Sequence, residues 1–406
     1  MKVVIIGGGA SGLVAAIYAA RSNNEVVLIE KNNVCGKKLS ITGNGRCNYF
    51  NSEMDISHYY SNDAYALKNI INDENVNEIL SLFEKIGIVP KIKNGYYYPM
   101  SNKASSVRDA LVCEMLLENV EIVNDAVKSV LKKEDKFTIK LENNNDILAD
   151  KVILALGSCA YPKTGSDGLG YEITKSFGHK IIKPLPALVP LVCDGNYFSL
   201  WSGARCDAKV SLFEDGIALK EEFGEIQFTN YGISGICVFN LSSLVSKGLD
   251  LEKKEEIVIN FVPWMGANSV SDVLDCLEKR EDYVSGRNLV QFLSGFLEEK
   301  IINVILKVAD VNSNKYYSEL SNKEKHRLAQ CLFAFRLKVV GTKSFENAQV
   351  CLGGVSLSEV SETFESLFVN NLYIVGEMLD VSGDCGGYNL AFAFISGMVA
   401  GKEAVK

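Results

Sequence analysis

The sequence has few of the features that mark membrane, secreted or nucleic-acid-binding proteins. It contains no run of about eighteen or more apolar residues, so no segment is predicted to span a membrane. Lysine and arginine number 42 against 50 aspartate and glutamate residues, and the net charge of −8 argues against a nucleic-acid partner. The chain passes from Met1 into an apolar strand without the pattern of a secretory leader, so we expect a cytoplasmic protein.

Histidine and paired cysteine motifs are also scarce. The eleven cysteines never form Cys-x-x-Cys, which indicates reduced thiols instead of a disulfide framework or a zinc site. His58, His179 and His326 have neither the spacing of metal ligands nor that of a nucleophile and its base. We therefore predict no metal site, interpret the histidines as structural or surface residues, and assign no catalytic residue.

The two ends of the sequence carry the pattern of a parallel α/β sheet. Apolar strands and helices are predicted at Lys2–Gly7 (strand), Ser11–Ser22 (helix), Glu25–Glu30 (strand), Lys151–Leu156 (strand), Asn371–Val375 (strand) and Tyr388–Ala404 (helix). Because the last strand and helix repeat the pattern of the first, we expect the C-terminus to complete the N-terminal domain.

The middle of the chain has a different pattern. From Pro184 to about Pro263, short alternating strands with turn residues predict an all-β insertion. Helical periodicity then appears at Ser269–Lys279, Asn288–Val308 and Lys323–Leu337. We therefore predict a sheet domain at 1–187 and 348–406, a β-rich inserted domain at 188–264 and 338–347, and a helical module at 265–337.

A glycine-rich turn between the first strand and the first helix predicts a dinucleotide site. Its residues are Gly7, Gly9, Ala10, Ser11 and Gly12, in the pattern Gly-x-Gly-x-x-Gly. Glycines there allow a tight turn and let backbone amides approach a pyrophosphate at the helix N-terminus. Glu30 ends the next strand, where an acid accepts hydrogen bonds from ribose hydroxyls and disfavours the 2′-phosphate of NADP.

Three distant segments favour FAD over NAD, because together they fit one extended ligand that crosses the whole domain. They are a Gly/Lys/Arg-rich loop at 36–48, a buried strand that ends at Gly157, and the C-terminal Gly376-Glu377 with the following helix N-terminus. That helix would stabilise negative charge on a reduced flavin. The further candidate cofactor-binding residues are Lys31, Lys37, Lys38, Thr42, Gly43, Asn44, Gly45, Arg46, Cys47, Val127, Ala155, Leu156, Gly157, Gly376, Glu377, Gly387, Asn389 and Leu390.

Some of these positions belong to motifs of a known family. The most specific are Thr42–Asn48, Tyr161–Gly168, Gly232–Gly235, Ala348–Val355 and Gly376–Leu390. Over nearly its whole length the chain resembles the HI0933-like group of bacterial flavoproteins, which includes aminoacetone-oxidase-like, NAD(P)/FAD-dependent enzymes. The resemblance implies a glutathione-reductase-like FAD-binding Rossmann domain with an inserted β-barrel-like domain that carries a small helical module.

The chain departs from the family pattern in two places. Asn230 stands where the family often has histidine, so an acid–base role at that position is in doubt. Asp384-Cys385 replaces residues such as Pro-Thr, and we interpret Cys385 as a small packing residue. The polar groups expected near the flavin ring, from motif position alone, are Arg46, Asn48, Tyr161 and Asn389.

These observations predict an FAD-dependent oxidoreductase that transfers hydride to or from a small organic substrate, as an amine or amino-ketone oxidase. One alternative is an NAD(P)H-linked flavin reductase of a steroid- or bile-acid-like enone. Another is a non-catalytic or RNA-modification-associated flavin-binding protein. No second Gly-x-Gly-x-x-Gly follows a strand, so NAD(P)H would be a transient electron donor without its own Rossmann unit. The oligomeric state is not predicted.

Overall fold

A computed structural model describes residues 1–22 and 24–406 of the chain. These residues form two compact units: Met1–Leu185 together with Ala348–Lys406, and Pro186–Asn347. Within the residues described, no helix combines the length and the apolar character needed to cross a bilayer.

The strands, in chain order, are β1 (Lys2–Ile6), β2 (Glu25–Glu30), β3 (Phe50–Asn51), β4 (Tyr59–Tyr60), β5 (Pro90–Lys93), β6 (Tyr96–Pro99), β7 (Glu121–Asn124), β8 (Val127–Lys133), β9 (Lys136–Leu141), β10 (Ile147–Ala149), β11 (Lys151–Leu154), β12 (Ile181–Ala187), β13 (Leu191–Cys193), β14 (Arg205–Glu214), β15 (Ile217–Phe228), β16 (Gly232–Ser234), β17 (Glu255–Asn260), β18 (Phe335–Thr342), β19 (Val350–Val355), β20 (Leu372–Ile374) and β21 (Ser382–Gly383).

The α-helices are α1 (Ala10–Ala20), α2 (Thr42–Gly45), α3 (Leu67–Ile70), α4 (Asp73–Lys85), α5 (Ala104–Leu117), α6 (Leu169–Ser176), α7 (Phe198–Trp201), α8 (Ile236–Asp250), α9 (Val270–Val284), α10 (Leu289–Leu293), α11 (Glu299–Val308), α12 (Asn322–Phe333) and α13 (Tyr388–Glu403). Single 3₁₀ turns lie at Leu39–Ile41, Ile56–His58, Ala64–Ala66, Pro162–Thr164, Pro263–Met265, Tyr317–Glu319, Leu357–Glu359 and Gly376–Met378.

The first unit is built on a parallel sheet with the strand order β20-β11-β1-β2-β7. Ile5 of β1 pairs with Leu28 on one side and with Ile153 on the other. Val3, Val4 and Ile5 are fully buried, as expected for a central parallel strand that is covered on both faces. Since β20 pairs with β11, the C-terminal segment completes the sheet that the N-terminus begins.

Helices α1 and α13 pack closely because glycines stand at their contact. A Cβ atom added to Gly397 would lie 2.2 Å from the Ser11 carbonyl oxygen, and one added to Gly401 would lie 2.6 Å from that of Ala15. No side chain fits at such distances, so these glycines let the two helix backbones touch. The start of α1 and the middle of α13 are thereby held in fixed register.

The second unit contains a closed barrel with the strand order β13-β16-β15-β14-β17-β18. Its core includes Trp201, Phe228, Phe261 and Phe335, whose rings contact one another. Helices α9 to α12 lie between β17 and β18 in the chain and share this hydrophobic core. The separation of 265–337 as its own module therefore stays a prediction.

Three predicted elements of this region are wrong. Helix α8 lies within the stretch predicted to be all-β, and its buried Val238, Leu241 and Val245 recur at helical spacing. The helix predicted at Asn288–Val308 is two helices, α10 and α11. The helix predicted at Lys323–Leu337 ends at Phe333, because from Phe335 the side chains alternate between buried and exposed and form strand β18.

Candidate flavin site

The predicted glycine turn lies between β1 and α1, and its glycines have distinct roles. Gly7 has φ +104°, and a Cβ there would lie 2.4 Å from the Ala155 carbonyl oxygen. A Cβ on Gly12 would lie 1.9 Å from the Gly7 carbonyl oxygen. Gly9 differs, since a Cβ there would meet no atom within 4 Å. Gly7 and Gly12 therefore serve packing, whereas Gly9 borders open space where a ligand can approach the backbone.

The N-terminus of α1 has the properties of an anion site. Its N-cap is Gly9, which offers no side-chain cap, and no acidic residue stands in the first turn. The first amides of a helix need partners from outside it, and the helix dipole favours a negative group there. Ala10 and Ser11 begin the helix at this point, as predicted. A pyrophosphate fits these amides.

Glu30 ends β2 directly beside the glycine turn. Its Oε2 accepts a hydrogen bond from the Gly8 amide at 2.8 Å, and its Oε1 accepts two from Asn32, at 2.8 Å from the backbone amide and 2.6 Å from Nδ2. The residue is 8% exposed. Three donors fix the carboxylate at the position where an acid meets a ribose. Burial and the charge of Glu30 raise the pKa of the neighbouring Cys35 thiol to about 11, so Cys35 is a protonated thiol at neutral pH.

The cationic side chains predicted near the phosphates form contacts within the protein. Lys31 Nζ lies 2.5 Å from Asp167 Oδ2, which ties the Tyr161–Gly168 segment to the end of β2. Lys37 Nζ donates to Asn32 Oδ1 at 3.4 Å. Lys38 Nζ donates to Glu377 Oε2 at 2.6 Å, and both of these side chains are about one-fifth exposed. Lys31 and Lys38 thus brace the walls of the site.

The Thr42–Cys47 loop is a compact turn with an unusual backbone. Gly43, Asn44, Gly45 and Cys47 all have φ between 55° and 77°. The Cys47 amide donates to the Thr42 carbonyl at 3.0 Å, and the Thr42 hydroxyl donates to the Leu39 carbonyl at 2.8 Å. The Arg46 amide also donates to the Gly43 carbonyl at 3.2 Å, so hydrogen bonds within the loop hold this backbone in place.

The side chains of this loop divide into buried and exposed ones. Burial raises the pKa of the Cys47 thiol to about 12, so Cys47 is a packing residue. Arg46 is exposed. Burial raises the pKa of the Tyr98 phenol on β6, and the charge of Arg46 offsets part of that rise, which places Arg46 near Tyr98. The loop therefore offers an exposed cation beside the aromatic strand β6.

The ends of β11 and β20 approach the glycine turn from the other side. The Leu156 amide faces Met378 Sδ at 3.4 Å, and Gly157 has φ +77° with a Cβ position 2.7 Å from Ser166 Oγ. Gly376 has φ +66°, and its Cβ position lies 2.6 Å from Ser11 Oγ. Gly376 therefore lies against the start of α1, and a Cβ added to Gly12 would lie 3.2 Å from the Ala155 Cβ. That these segments bind the cofactor stays a prediction.

Val127, another predicted cofactor-binding residue, lies outside the parallel sheet of the first unit. It is buried in β8, which belongs to the antiparallel sheet β10-β9-β8. The preceding Asp125 donates its amide to the Glu30 carbonyl at 3.1 Å. The start of β8 is therefore held near Glu30, and the contact of Val127 with the cofactor stays a prediction.

The N-terminus of α13 resembles that of α1. Its N-cap is Gly387, with φ +96°, and it has neither a side-chain cap nor an acidic residue in its first turn. A Cβ on Gly387 would lie 2.5 Å from the Phe50 carbonyl oxygen. Asn389 Oδ1 accepts from the Gly383 amide and its Nδ2 donates to the Gly383 carbonyl, both at 2.8 Å. Asn389 therefore fixes the loop before α13. The half-buried Leu390 packs against the hydrophobic core of the first unit.

One group of functional side chains was missed in the sequence. His58 and Tyr60 both contact the buried Asp384 carboxylate, and the His58 ring stacks on Tyr388. His58 was interpreted as a structural or surface residue. Its contact with Asp384 could not be foreseen, because the two residues are 326 positions apart in the chain. Asp384, an acid just before a helix N-terminus and a departure from the family pattern, was the available signal.

FAD fits the residues present. Helices α1 and α13 begin with glycine N-caps and have no acidic residue in the first turn, a fixed carboxylate ends β2, and open space borders Gly9. Within the described part of the chain, Ser382 Oγ is buried without a hydrogen-bond partner, next to the loop that precedes α13. A polar ligand edge at this position would satisfy such a group.

The chain is similar to known proteins over nearly its whole length. A family model described as HI0933-like protein Rossmann domain matches residues 1–403. A 3-dehydro-bile acid delta(4,6)-reductase of Clostridium scindens is 38% identical over 408 residues, which cover 100% of this chain and 99% of the relative. A ribosomal RNA dihydrouridine synthase of Escherichia coli K12 is 26% identical over 407 residues, with 99% and 97% covered.

A solved structure shares the fold. It is a 3-ketosteroid-delta4-(5alpha)-dehydrogenase from Rhodococcus jostii RHA1 in complex with 4-androstene-3,17-dione, with a TM-score of 0.52 and 14% identity, covering 100% of this chain and 97% of that one. Fold, site and comparisons together define an FAD-dependent oxidoreductase with a Rossmann-like fold. The chain belongs to the HI0933-like protein family.

Proposed function

We propose that this protein is an FAD-dependent reductase of a carbon–carbon double bond conjugated to a carbonyl, in a small substrate of the 3-oxo bile acid or steroid type. The observation that carries this proposal is the 38% identity, from end to end, to the 3-dehydro-bile acid delta(4,6)-reductase. It favours the enone-reductase alternative over the amine or amino-ketone oxidase, for which the comparisons offer no support.

FAD, when bound, supplies hydride transfer. In this proposal the α1 amides beyond Gly9 hold the pyrophosphate, and Glu30 accepts the ribose hydroxyls. Lys38 fixes Glu377 at the end of β20, where its carboxylate can accept from ribityl hydroxyls. The first amides of α13 would lie at the flavin pyrimidine edge and would stabilise negative charge there by about 0.3–2 kcal/mol.

The protein's own residues also shape the wall around this end of the site. Asn51 Nδ2 donates to the Gly386 carbonyl at 2.9 Å, and a Cβ added to Gly386 would lie 3.1 Å from Tyr96 Cε1. A polar side chain of β3 and an aromatic ring of β6 thus lie beside the loop before α13, and a ring-shaped substrate would pack on such an aromatic side chain. The proposal has three further parts. They are a glutathione-reductase-like class for the FAD domain, a separate helical module, and NAD(P)H as the electron donor.

A second candidate function is reduction of a uracil base in ribosomal RNA. The observation that favours it is the full-length similarity, at 26% identity, to the Escherichia coli dihydrouridine synthase. The net charge of −8 opposes it, since RNA phosphates call for a basic surface. We favour the enone reductase over the uracil reductase, because the identity to the bile acid reductase is 38% and that to the dihydrouridine synthase is 26%.

The test is an anaerobic screen of the photoreduced holoprotein, followed by the return of oxidised-flavin absorbance. We expect rapid reoxidation by a 3-oxo bile acid that carries a conjugated double bond, and no response to unmodified ribosomal RNA. Rapid reoxidation by air with release of hydrogen peroxide, after reduction by an amine or amino ketone, would establish the oxidase alternative instead. Reduction of the oxidised protein by NADH or NADPH tests the electron donor.

A further inference from the structure

Asp384 lies between two side chains that come from the opposite end of the sequence. Its carboxylate is 7% exposed, and it accepts a hydrogen bond from the Tyr60 hydroxyl at 2.9 Å on Oδ1. His58 Nδ1 lies 3.3 Å from Oδ2. The Asp384 amide also donates to the His58 carbonyl at 2.9 Å. The pairing of β4 with β21 therefore brings backbone and side chains of the two segments together.

The His58 ring has a fixed place at the start of α13. It stacks on the ring of Tyr388, with centroids 4.5 Å apart and an angle of 15° between the planes. Tyr388 is the first residue of α13, and its carbonyl accepts from the Tyr59 hydroxyl at 3.1 Å. The imidazole thus lies against the helix terminus that the proposed function assigns to the flavin pyrimidine edge.

The two nitrogens of this imidazole have different surroundings. Nδ1 faces Asp384, so Nε2 is the nitrogen that this carboxylate does not contact, and the side chain as a whole is 30% exposed. The side chain of His179 is fully buried, and both of its nitrogens are occupied, by Glu359 at 3.1 Å and Ser366 at 2.8 Å. His58 therefore has a carboxylate that orients it and a second nitrogen that can exchange a proton with a ligand.

The titratable groups near His58 come from several segments. Those that face the ring, or the Tyr388 ring on which it stacks, are Glu53, Asp55, Tyr59, Tyr60, Tyr96, Asp384 and Tyr388. Burial raises the pKa of the Tyr388 phenol, and Glu53 and Tyr96 raise it further, so this phenol stays protonated at neutral pH. Of the side-chain types in this cluster, imidazole is the one that most often serves as a general acid.

We propose that His58, oriented by Asp384, donates the proton that the reductase reaction needs; this inference rests on the proposed function. The substrate carbon β to the carbonyl receives a hydride from the reduced flavin, and the α carbon receives the proton from His58 Nε2. The carbon–carbon double bond becomes a single bond, two electrons leave the flavin, and the neutral imidazole recovers its proton from water. Asp384 is a positioning residue, because it contacts His58.

The experiment compares anaerobic single turnovers of the photoreduced holoproteins with a conjugated 3-oxo bile acid. His58→Gln is expected to slow flavin reoxidation by about 10²–10⁴-fold, the usual contribution of a general acid, and to remove the pH dependence of the step. Its FAD content should stay at the wild-type level. His326→Gln, an exposed change on α12, is the matched control and should keep the wild-type rate and pH profile.

Two further measurements separate proton donation from a structural role. Imidazole added to His58→Ala should restore the rate in proportion to the imidazolium concentration. The chain has three histidines, so ¹³C labelling of the ring Cε1 gives three NMR signals, and the one missing in His58→Gln identifies His58. That signal is expected to move when the saturated 3-oxo product binds the oxidised holoprotein, and Asp384→Asn should alter its pH titration.

The outcomes distinguish this inference from the proposed function. If wild type and His58→Gln are reoxidised at the same rate with the same pH profile, and the His58 signal does not move, the inference is wrong and the proposed function stands. If wild type itself is not reoxidised by any conjugated ketone, the proposed function fails and the inference fails with it.

Discussion

Lys38 and Glu377, 339 positions apart in the chain, form a half-buried ion pair with Nζ and Oε2 separated by 2.6 Å. Lys38 follows the first βαβ unit and Glu377 follows the last strand of the sheet. Ser158 Oγ, after β11, donates to the same Oε2 at 3.3 Å. The pair therefore fixes the mutual position of three strand ends at which the cofactor is proposed to bind.

We expect Glu377→Gln to weaken FAD binding while the protein still folds. The change removes a charged partner of Lys38 and the proposed acceptor for ribityl hydroxyls, and the loss of such a hydrogen bond costs about 1.5–3 kcal/mol, or roughly tenfold to a hundredfold in the dissociation constant. Equilibrium dialysis of FAD against the apoprotein measures it. Glu221→Gln, in an exposed pair with Lys209, is the control and should leave FAD affinity unchanged.

The glycine turn allows a contrast between two substitutions. Gly9→Val introduces a side chain into open space at a residue with φ −78°, so the apoprotein should lose no more than a helix-cap contribution of about 1 kcal/mol, yet retain no FAD. Gly12→Ala places a Cβ 1.9 Å from the Gly7 carbonyl oxygen, so it should lower the melting temperature of the apoprotein. Gly9→Val protein purified with a full complement of FAD would disprove the pyrophosphate assignment.

Glu255 predicts a pH dependence of stability in the barrel unit. It is 3% exposed and lies opposite Glu214 in the pairing of β14 with β17. Burial, followed by the charge of Glu214, raises the pKa of Glu255 to about 7. The folded protein then binds more protons than the unfolded chain between the ordinary glutamate pKa and about 7, so the free energy of unfolding falls as pH rises through that window.

Thermal unfolding of wild type and Glu255→Gln across this pH range measures the effect. The variant lacks this titration, so its advantage over wild type should grow up to about pH 7 and then level off. Glu252→Gln, an exposed change three positions away, should follow the wild-type curve. Parallel curves for wild type and Glu255→Gln would show that the carboxyl of Glu255 has no raised pKa.

Asn389 should prove to be a residue that positions the cofactor helix. Asn389→Asp keeps an acceptor for the Gly383 amide but leaves the Gly383 carbonyl without its donor and adds a negative charge in the first turn of α13. We expect a loss of about 1–3 kcal/mol of stability and a lower flavin reduction potential. Chemical denaturation and a dye-coupled redox titration measure the two effects. An unchanged potential in a destabilised variant would mean that α13 does not face the flavin.

The sequence predicted the parts of the site that depend on local pattern. The Gly7–Gly12 turn, the acid at Glu30 and the strand before Gly376 are each read from short segments whose conformation the residues themselves require. Helix α8 and the first residues of strand β18 were missed because each follows an element of the other type, and the prediction extended that element across them. Their buried residues do recur at helical and alternating spacing, as the barrel core shows.

The contact of His58 with Asp384 had no local signal. It exists because β4 pairs with β21, and that pairing joins segments more than three hundred positions apart. The role of Asn389 was likewise hidden, since a motif position near a flavin does not say whether the amide faces the ligand or its own loop. Such roles depend on tertiary packing, which pattern reading does not supply.

The most direct test of the central claim is a product count in a single anaerobic turnover. Photoreduced holoprotein is mixed with a 3-oxo bile acid that carries a conjugated double bond, and the saturated ketone is counted by mass spectrometry against flavin reoxidised. We expect equal amounts of reduced product and oxidised flavin. Persistence of the reduced flavin with the substrate unchanged, and prompt oxidation only when air is admitted, would contradict it.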